Sequence, residues 1–508
     1  MIKKISFYAL LVAILSACGS GKKEVPSTFE TVNESVAIFP DYADVTIPCN
    51  IAPLNIQVKS IGTEFAGCIS DAAGATIVAT AEIDKLFFDE EEWKQMLDDN
   101  KGKSLTVKVF AKRANGWVAF KPYSISVAEE PIDEYLSYRL IEPSYELYRQ
   151  LGLYQRNLTN FEEHVIYENN RSYDDDNNHC INCHNYQNHN TDTMLFHVRG
   201  SHGGTIFVQG DKVVKMNMKS DSILSNSVYP SWHPTDARVV FSSNNTGQVF
   251  HLGHTNKIEV LDYDSDIIHY NVATQEISNI LKTKEYLETF PCWAPDGNTI
   301  YFTRAYTPQL MGIPDSLRAD KIPTIYDSLH YDVMSLRYDA QTGTVSDLRT
   351  EVACAEMGKS AAVPRISPDG RYLLFTVGDF GQFHIWHADA DLYVKDMLTG
   401  NVRRLDRASA EGPDSYHGWS SNGRWLVVAS RRDDGSYSRP YIAYFDKEGR
   451  DHKAFLLPQR DPEFNLLRMK SYNVPEFSKN AVSITPELFK EVIYDDAAVQ
   501  KVTYKSFQ

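Results

Sequence analysis

The residues of this chain with the clearest chemical capacity are the six positions from His179 to His184, which read His-Cys-Ile-Asn-Cys-His. Cys180 and Cys183 are three residues apart, and His184 follows directly. Two thiols at this spacing can each form a thioether with one vinyl group of a haem, and the adjacent histidine can then serve as the proximal ligand of the iron. The motif therefore predicts one covalently attached haem c, held by Cys180, Cys183 and His184.

Three other interpretations apply to the same residues. A structural zinc site could combine the two cysteines with His179 and His184, although zinc clusters usually draw their ligands from two separated pairs. A redox-active Cys-x-x-Cys normally opens a helix within a βαβ unit, and the sequence contains no sign of such a unit. A chance occurrence in 508 residues is the third interpretation. The motif favours haem attachment over all three.

Residues that follow the motif supply candidates for the other side of the haem. Met194 and His197 are candidate sixth ligands of the iron, and Arg199 could pair with a haem propionate through a charge-assisted contact. In a strand Met194 and His197 would point to opposite faces, so at most one of them should face the iron. Core packing of Met194 and a surface ion pair of Arg199 are the alternative roles.

The N-terminus carries an export signal. Two lysines precede a short apolar run that ends at Leu15, which is the layout of a secretory signal peptide and is too short to span a membrane. The residues Leu15-Ser16-Ala17-Cys18-Gly19 resemble the lipobox of bacterial lipoproteins. That resemblance implies removal of residues 1–17, diacylation of Cys18 and a flexible tether over residues 18–27. An ordinary signal peptide with a chance cysteine is the alternative.

Composition limits the class of protein further. A length of 508 residues predicts two or three domains. The balance of 51 Lys+Arg against 67 Asp+Glu gives a net charge of -16, which argues against a nucleic-acid binder. A hydrophobic fraction of 43% excludes wholesale disorder, and 12% aromatic residues suit a β-rich fold. Seven cysteines are too few for a disulfide scaffold, although Cys49 and Cys68 could form one disulfide in an oxidising compartment.

Two segments precede the C-terminal half. Residues 28–130 show short runs of period-two alternation, which predict an immunoglobulin-like β-sandwich with one helical insertion at residues 90–97. From residue 131, tyrosine and leucine recur at helical spacing. Residues 131–204 are therefore predicted to form a short helical connector that carries the haem segment.

The remainder of the chain repeats. Four copies of a strand, a Pro-Asp-Gly-like turn and a second strand occupy residues 229–241, 290–302, 363–375 and 416–428. Each copy predicts a β-hairpin, and further hairpins such as residues 392–405 lie between the copies. Two hairpins per repeat make four-stranded units, which predict a β-propeller over residues 205–475. About six blades fit this length, with five or seven also compatible, and residues 476–508 would form a C-terminal extension.

The repeats resemble the WD40-like repeats of TolB-type propellers. The whole chain is similar to a set of lipoproteins from Bacteroidetes-type bacteria that join such a propeller to a Cys-x-x-Cys-His segment. The similarity is carried by residues 180–184, residues 194–204 and the Pro-Asp-Gly repeats. It implies haem binding and electron transfer, and it names no substrate. Taken together, the segments of the sequence predict a mainly β fold with an N-terminal β-sandwich, a short helical haem-binding connector and a roughly six-bladed TolB-like β-propeller in series.

Together these features predict an outer-membrane lipoprotein, facing the periplasm or the cell surface, that passes single electrons to a redox or envelope partner. The alternative is a non-enzymatic TolB-like propeller scaffold that binds a protein or glycan, with the Cys-x-x-Cys-His motif holding a structural metal. A peroxidase-like activity on a five-coordinate haem is the enzymatic alternative. No catalytic residue and no nucleic-acid partner are predicted.

Overall fold

A computed structural model of the chain describes residues 23–142, 150–169, 179–251, 253 and 256–506. The predicted signal peptide and the lipidation site Cys18 lie outside the described residues. Contacts divide the chain into two compact units: the first comprises the described residues up to Glu129 with Pro458–Asn465, and the second comprises Glu130–Leu457 and the residues from Leu466 onward. Within the described ranges, no helix is long and apolar enough to cross a bilayer.

The first unit contains two β-sheets and one α-helix. Its elements in chain order are β1 (Glu30–Ser35), β2 (Ile38–Phe39), β3 (Val45–Ile47), β4 (Ile56–Val58), β5 (Phe65–Ser70), β6 (Thr76–Val78), β7 (Thr80–Glu82), β8 (Lys85–Phe87), α1 (Glu90–Asp99), β9 (Ser104–Arg113), β10 (Gly116–Lys121) and β11 (Tyr123–Val127). One sheet has the order β1-β10-β9-β11-β3, with β5 and β6 joined to it through β9. The other has the order β2-β4-β8-β7. The immunoglobulin-like identity of this unit stays a prediction.

Helix α1 confirms the predicted helical insertion. The Asp89 carboxylate accepts hydrogen bonds from the backbone N–H groups of Glu91 and Glu92, which caps the helix N-terminus. The helix buries Trp93, whose indole N–H donates to the carbonyl of Ile51. Elsewhere in this unit, the two cysteines considered for a disulfide, Cys49 and Cys68, are both free thiols.

The second unit is mainly β. Its strands in chain order are β12 (Tyr135–Ile141), β13 (Gly152–Asn157), β14 (Glu163–Glu168), β15 (His179–Gln187), β16 (Asn190–Gly200), β17 (Gly204–Gln209), β18 (Lys212–Asn217), β19 (Ser227–Trp232), β20 (Arg238–Phe250), β21 (Ile258–Asn271), β22 (Glu276–Leu281), β23 (Tyr286–Trp293), β24 (Thr299–Tyr306), β25 (Tyr331–Asp339), β26 (Thr344–Val352), β27 (Ser360–Ile366), β28 (Tyr372–Gly378), β29 (Asp391–Asp396), β30 (Val402–Arg404), β31 (Asp414–Trp419), β32 (Trp425–Ser430), β33 (Arg439–Tyr444), β34 (Phe455–Leu456), β35 (Ser471–Ser478), β36 (Gln500–Lys501) and β37 (Thr503–Tyr504). Three further helices are α2 (Asp315–Lys321), α3 (Phe464–Leu467), which begins at the end of the first unit, and α4 (Pro486–Tyr494).

These strands form six sheets, numbered here in chain order. Sheet 1 has the order β35-β12-β13-β14, so a strand from the C-terminal region lies beside the first strand of the unit. Sheets 2 and 3 are β15-β16-β17-β18-β36 and β19-β20-β21-β22-β37. Sheets 4, 5 and 6 each contain four consecutive strands, beginning at β23, β27 and β31. The four predicted repeat hairpins are confirmed as the antiparallel pairs that begin sheets 3 to 6.

The first strand of each sheet contacts the first strand of the next. β15 contacts β19, and the series continues through β23, β27 and β31 to β35, which contacts β15 in turn. The hydrophobic core lies between consecutive sheets. Val240 and Ile267 of sheet 3, for example, share a buried cluster with Trp293, Ile300 and Phe302 of sheet 4.

The repeated tryptophan and the Pro-Asp-Gly turn join successive sheets. The indole N–H of Trp232 donates to the carbonyl of Asn185 in the preceding sheet, and Trp419 donates in the same way to Arg365. At the turn, Gly297 has a φ of 68°, and a Cβ there would lie only 2.7 Å from the ring of His233 in the sheet before. Glycine is required at that position both for its backbone angle and for its close approach.

The prediction of a helical connector over residues 131–204 was wrong for the described residues, which form β12 to β16 and continue into β17. Tyrosine is a strong strand former, and β12 places Leu136, Tyr138 and Leu140 on one buried face with period two. Tyr135 and Tyr138 are three residues apart, as in a helix, whereas Leu136, Tyr138 and Leu140 alternate, so the local spacing did not decide between helix and strand. The repeated sheets accordingly begin at Tyr135 rather than at residue 205.

Candidate functional site

The six strands of the contact cycle, here called the innermost strands, carry the same local distortion. They are β15, β19, β23, β27, β31 and β35. Each has one non-glycine residue with a left-handed φ between 41° and 54°, beside an irregularity in the strand pairing. These residues are Cys183, Tyr229, Phe290, Val363, Tyr416 and Val474. The next residue is proline in four strands and histidine in two, His184 and His417. A β-bulge of this kind redirects the following side chains toward the centre of the six sheets.

The second half of the Cys-x-x-Cys-His motif is therefore also a copy of the repeat. Residues 183–186 read Cys-His-Asn-Tyr and residues 474–477 read Val-Pro-Glu-Phe, in the positions of Tyr-Pro-Ser-Trp at 229–232. Both copies lack the Pro-Asp-Gly turn, which is why sequence reasoning found only four repeats. The sequence signal that could have identified these two copies is an aromatic residue, Tyr186 or Phe477, at the position of Trp232.

A cavity of about 830 Å³ lies at the centre of the ring of first strands. Part of its wall comes from the bulge residues Tyr229, Phe290 and Tyr416, and the ring centroids of Tyr229 and Phe290 lie 4.3 Å apart. The residues two positions after each bulge residue also line the cavity and are more polar. They are Asn185, Ser231, Cys292, Arg365, Gly418 and Glu476. Ligand sites typically occupy about 300–1,000 Å³, so the cavity has the size of a small-molecule site.

The structure brings Cys180, Cys183 and His184 to the wall of this one cavity. Both cysteines are free and partly exposed, and the amide of Asn182 donates to the Cys180 sulfur at 3.2 Å. The intervening Ile181 is fully buried in a hydrophobic cluster. The strand geometry and its bulge thus place the three residues of the motif that carry chemistry at the same opening.

His184 is held as a neutral imidazole. Burial, together with the positive charge of Arg139, lowers its pKa to about 4, although a hydrogen bond with the backbone of Ser137 acts in the opposite direction. Its Nε2 atom is buried and has no hydrogen-bond partner among the described residues. A buried, unpartnered imidazole nitrogen is an available ligand atom, because lone-pair donation from neutral imidazole is its usual mode of metal binding.

Glu476 faces His184, with its Oε2 atom 3.8 Å from His184 Nε2. Burial raises the pKa of Glu476 to about 8, against the hydrogen bonds from the backbone N–H of Tyr186 and the side chain of Asn185 and the charge of Arg365. The carboxyl is therefore mainly protonated at neutral pH, and the pair is neutral rather than a salt bridge. No sequence motif signalled Glu476, which lies almost three hundred residues from His184 along the chain.

The predicted sixth ligands do not share the cavity. Met194 is fully buried in the hydrophobic cluster around Ile181 and Phe196, as core packing would require. His197 hydrogen-bonds Thr205 on the neighbouring strand, and neither Met194 nor His197 lines the cavity. Within β16, only Arg199 and Gly200 at its C-terminal end line the cavity, and the assignment of a sixth ligand stays a prediction. Arg199, directly across the strand pair from Cys180, does line the cavity.

The residues present fit a haem in part. Two thiols and an available imidazole nitrogen share one cavity, which suits covalent tethering and one axial bond. The zinc alternative has no such fit, because no group of three or more His, Cys, Asp or Glu side chains in the described part of the chain is placed to hold a metal ion. His179 is instead buried against Tyr167, whose hydroxyl lies 3.0 Å from His179 Nε2.

A second acid–histidine pair lies outside the cavity wall. His387 Nε2 is 2.6 Å from the Glu259 carboxylate, and both side chains are almost completely buried. The contact joins β21 of sheet 3 to the loop after β28 of sheet 5. Its burial indicates a structural tie between sheets rather than a ligand site.

No protein-family model and no curated protein matches this chain. Among solved structures, it is similar to TolB from Acinetobacter baumannii at 13% identity, covering 74% of this chain and 79% of that one, with a TM-score of 0.41. It is also similar to an oligogalacturonate lyase in complex with manganese (12% identity, 63% and 85% coverage, TM-score 0.34) and to prolyl oligopeptidase B from Galerina marginata (9%, 69% and 42%, 0.36). Similarities at this level assign neither a fold nor a function to the chain.

Proposed function

We propose that the second unit is a six-bladed β-propeller of the TolB-like type, closed by the pairing of β35 with β12. Two observations support this proposal. Six sheets follow one another along the chain, and each contains four strands in antiparallel order, with β36 and β37 added in parallel at the edges of sheets 2 and 3. The first strands of the sheets contact in a cycle that returns from β35 to β15. Closure by a C-terminal strand ties the two ends of the ring together and leaves only short outer edges.

As its function we propose ligand binding in the axial cavity by a non-enzymatic envelope protein, anchored through Cys18. The observation that carries this proposal is the cavity of about 830 Å³ at the centre of the six first strands. Its wall combines aromatic side chains with converging polar groups, which is the usual composition of a binding site. The candidate ligands are the end of an envelope protein or a glycan.

Gly418 offers a direct test of this proposal. It lines the cavity, and a Cβ there would meet nothing closer than the Pro475 carbonyl oxygen at 3.8 Å, an ordinary contact. The substitution Gly418→Leu therefore fills the cavity without straining the backbone. Native mass spectrometry of the protein extracted from its own membranes should show a bound mass that this variant loses. The exposed Ser346→Leu on β26 is the matched control and should retain it. Identical spectra for all three proteins would overturn the proposal.

A second candidate function is haem-dependent electron transfer. It is favoured by one specific observation: Cys180, Cys183 and His184 all line the cavity, and His184 Nε2 is buried without a partner. The two cysteines would tether the haem, and His184 would bind its iron. A bound haem c supplies one-electron redox chemistry. The chain's own contribution is to hold His184 neutral and to surround the site with the aromatic wall.

This candidate is tested by a pyridine haemochrome spectrum of protein made with c-haem maturation machinery. Stoichiometric haem that survives denaturation is expected, and Cys180→Ala or Cys183→Ala should abolish or weaken its attachment. Cys354→Ala is the control, because Cys354 is fully buried away from the motif and should leave haem content unchanged. Absence of haem from the wild-type protein would exclude this function. Carbon monoxide would then report an open sixth site, which peroxide chemistry requires.

A further inference from the structure

The charge of the axial cavity is opposite to that of the chain. The whole sequence has a net charge of -16. Five basic side chains line the cavity, namely Arg139, Arg199, Lys257, Arg365 and Arg431. The acidic lining residues are Glu142 and Glu476, and Glu142 is already paired with Lys470 at 3.0 Å. Even if both carboxylates are counted as charged, the lining keeps an excess of three positive charges.

Three of these arginines have no carboxylate partner among the described residues. Arg139 donates only to the Ile181 carbonyl and the Asn473 side chain, and its Nε atom is buried with no partner. Arg365 donates to its neighbouring carbonyl at Pro364. Arg199 is exposed at the cavity and makes no ion pair with any residue of the described ranges. A guanidinium presents five donors in a planar fork that suits carboxylate and phosphate groups. Most of these donors remain available to a ligand.

The arginines also lie on different sides of the ring. Arg199 belongs to sheet 2 and Arg365 to sheet 5. Around the cycle of first strands, sheets 3 and 4 lie between them in one direction, and sheets 6 and 1 lie between them in the other. Between them, the wall presents the aromatic side chains of Tyr229 and Phe290. A ligand that satisfies both arginines must therefore carry anionic groups at two positions and an organic body between them.

We propose that the axial cavity binds an organic polyanion with at least two carboxylate or phosphate groups, which Arg199 and Arg365 hold from opposite sides while Arg139 adds a third cationic contact. The inference rests on the proposed function, in which this cavity is the ligand site. It adds the chemical class of the ligand. The excess positive charge also draws such anions toward the cavity in a protein whose overall charge repels them.

Calorimetry with the full-length protein in detergent tests the proposal. The probes are citrate and fructose 1,6-bisphosphate, which each carry anionic groups on an organic body, and triethyl citrate is the uncharged control of the citrate skeleton. Citrate or fructose 1,6-bisphosphate should bind with 1:1 stoichiometry, and the tighter of the two distinguishes carboxylate from phosphate recognition. Triethyl citrate should not bind. Arg199→Gln and Arg365→Gln should each weaken binding at least about tenfold, the loss expected for one charge-assisted contact. Arg349→Gln, at an exposed position on β26, should bind like wild type. Absence of binding at millimolar probe, or equal binding by all variants, overturns the proposal.

A second readout separates this outcome from failure of the proposed function. In protein made without haem maturation, Cys180 and Cys183 are free thiols on the cavity wall. Each reagent's rate is divided by its rate with the same thiols in urea-unfolded protein, which removes the difference in intrinsic reactivity. By this ratio, the dianionic reagent 5,5′-dithiobis(2-nitrobenzoate) should be favoured over uncharged 4,4′-dithiodipyridine, by a margin that shrinks in Arg199→Gln and Arg365→Gln. Equal protection of the thiols by citrate and triethyl citrate would retain the cavity as a ligand site and refute its preference for anions. No protection by any probe, with no effect of Gly418→Leu on thiol modification, would refute both proposals.

Discussion

Glu288 should make the stability of the second unit fall as pH rises. Its side chain on β23 has no exposed surface; one carboxylate oxygen accepts hydrogen bonds from Thr283 and Arg304, and the other has no partner among the described residues. Burial raises its pKa to about 8 from an ordinary 4.5, and the hydrogen bond from Thr283 and the charge of Arg304 offset only part of this effect.

The sign and the magnitude follow from proton linkage. A carboxyl with a raised folded-state pKa binds its proton more tightly in the folded protein. Its contribution to stability is complete below pH 4.5 and is lost as pH rises toward 8. At about 1.4 kcal/mol per pH unit, the interval from pH 5.5 to pH 8 corresponds to a loss of about 3 kcal/mol. The variant Glu288→Gln cannot ionise, so its stability relative to wild type should increase by that amount across the interval.

Urea unfolding followed by tryptophan fluorescence, at pH 5.5, 7 and 9, measures this difference. Glu351→Gln is the control. Partial burial raises the pKa of Glu351, but hydrogen bonds from Lys395 and Ser335 outweigh that effect and leave its pKa below the usual value. Glu351 is therefore ionised throughout the interval, and its variant should show a constant difference from wild type. A constant difference for Glu288→Gln as well would mean that its carboxylate is charged in the folded protein, and would refute the reasoning.

Three further predictions concern the cavity, the buried Glu259–His387 pair and ring closure. Gly418→Leu should slow iodoacetamide modification of Cys180 and Cys183 at least about tenfold, measured by mass spectrometry; unchanged rates would show that the reagent does not enter through the cavity. His387→Ala should lower the unfolding free energy by about 1–3 kcal/mol, because it leaves the buried Glu259 carboxyl without its hydrogen-bond partner, and an unfolding free energy equal to that of wild type in urea titration would contradict this. Deletion of β35 should expose β12 and make the second unit sensitive to limited proteolysis, whereas wild-type resistance would show that the ring does not depend on this strand.

The hairpins of sheets 3 to 6 were predictable because their information is local. A proline, an acidic or polar residue and a glycine specify the turn, and alternating apolar residues specify the two strands beside it. Residues 131–204 were predicted wrongly because their local pattern is ambiguous. Tyr135 and Tyr138 have helical spacing, whereas Leu136, Tyr138 and Leu140 alternate as in a strand. The partner that decides for a strand, β35, lies more than three hundred residues away in the sequence.

Some residues of the candidate site could likewise be predicted from the sequence, and others could not. The sequence identified Cys180, Cys183, His184 and Arg199, and all four line the cavity. Its sixth-ligand candidates were chosen for their closeness along the chain, and β16 turns Met194 into the core instead. Spacing along a strand does not show which of its residues will line a cavity, so the sequence could not predict which residues of β16 face the cavity.

By itself, the sequence determined where the four repeat hairpins lie and that Cys180, Cys183 and His184 are neighbours, because a Pro-Asp-Gly turn and a Cys-x-x-Cys-His motif each involve only a few adjacent residues. Only the tertiary structure decided that Glu476 faces His184, and that Arg139, Arg199 and Arg365 surround one cavity. Those groups come from sheets 1, 2 and 5, and they meet because the first strands of the six sheets contact one another in a cycle. Long-range closure of that kind depends on strand pairing and burial summed over the whole unit, which no local pattern specifies.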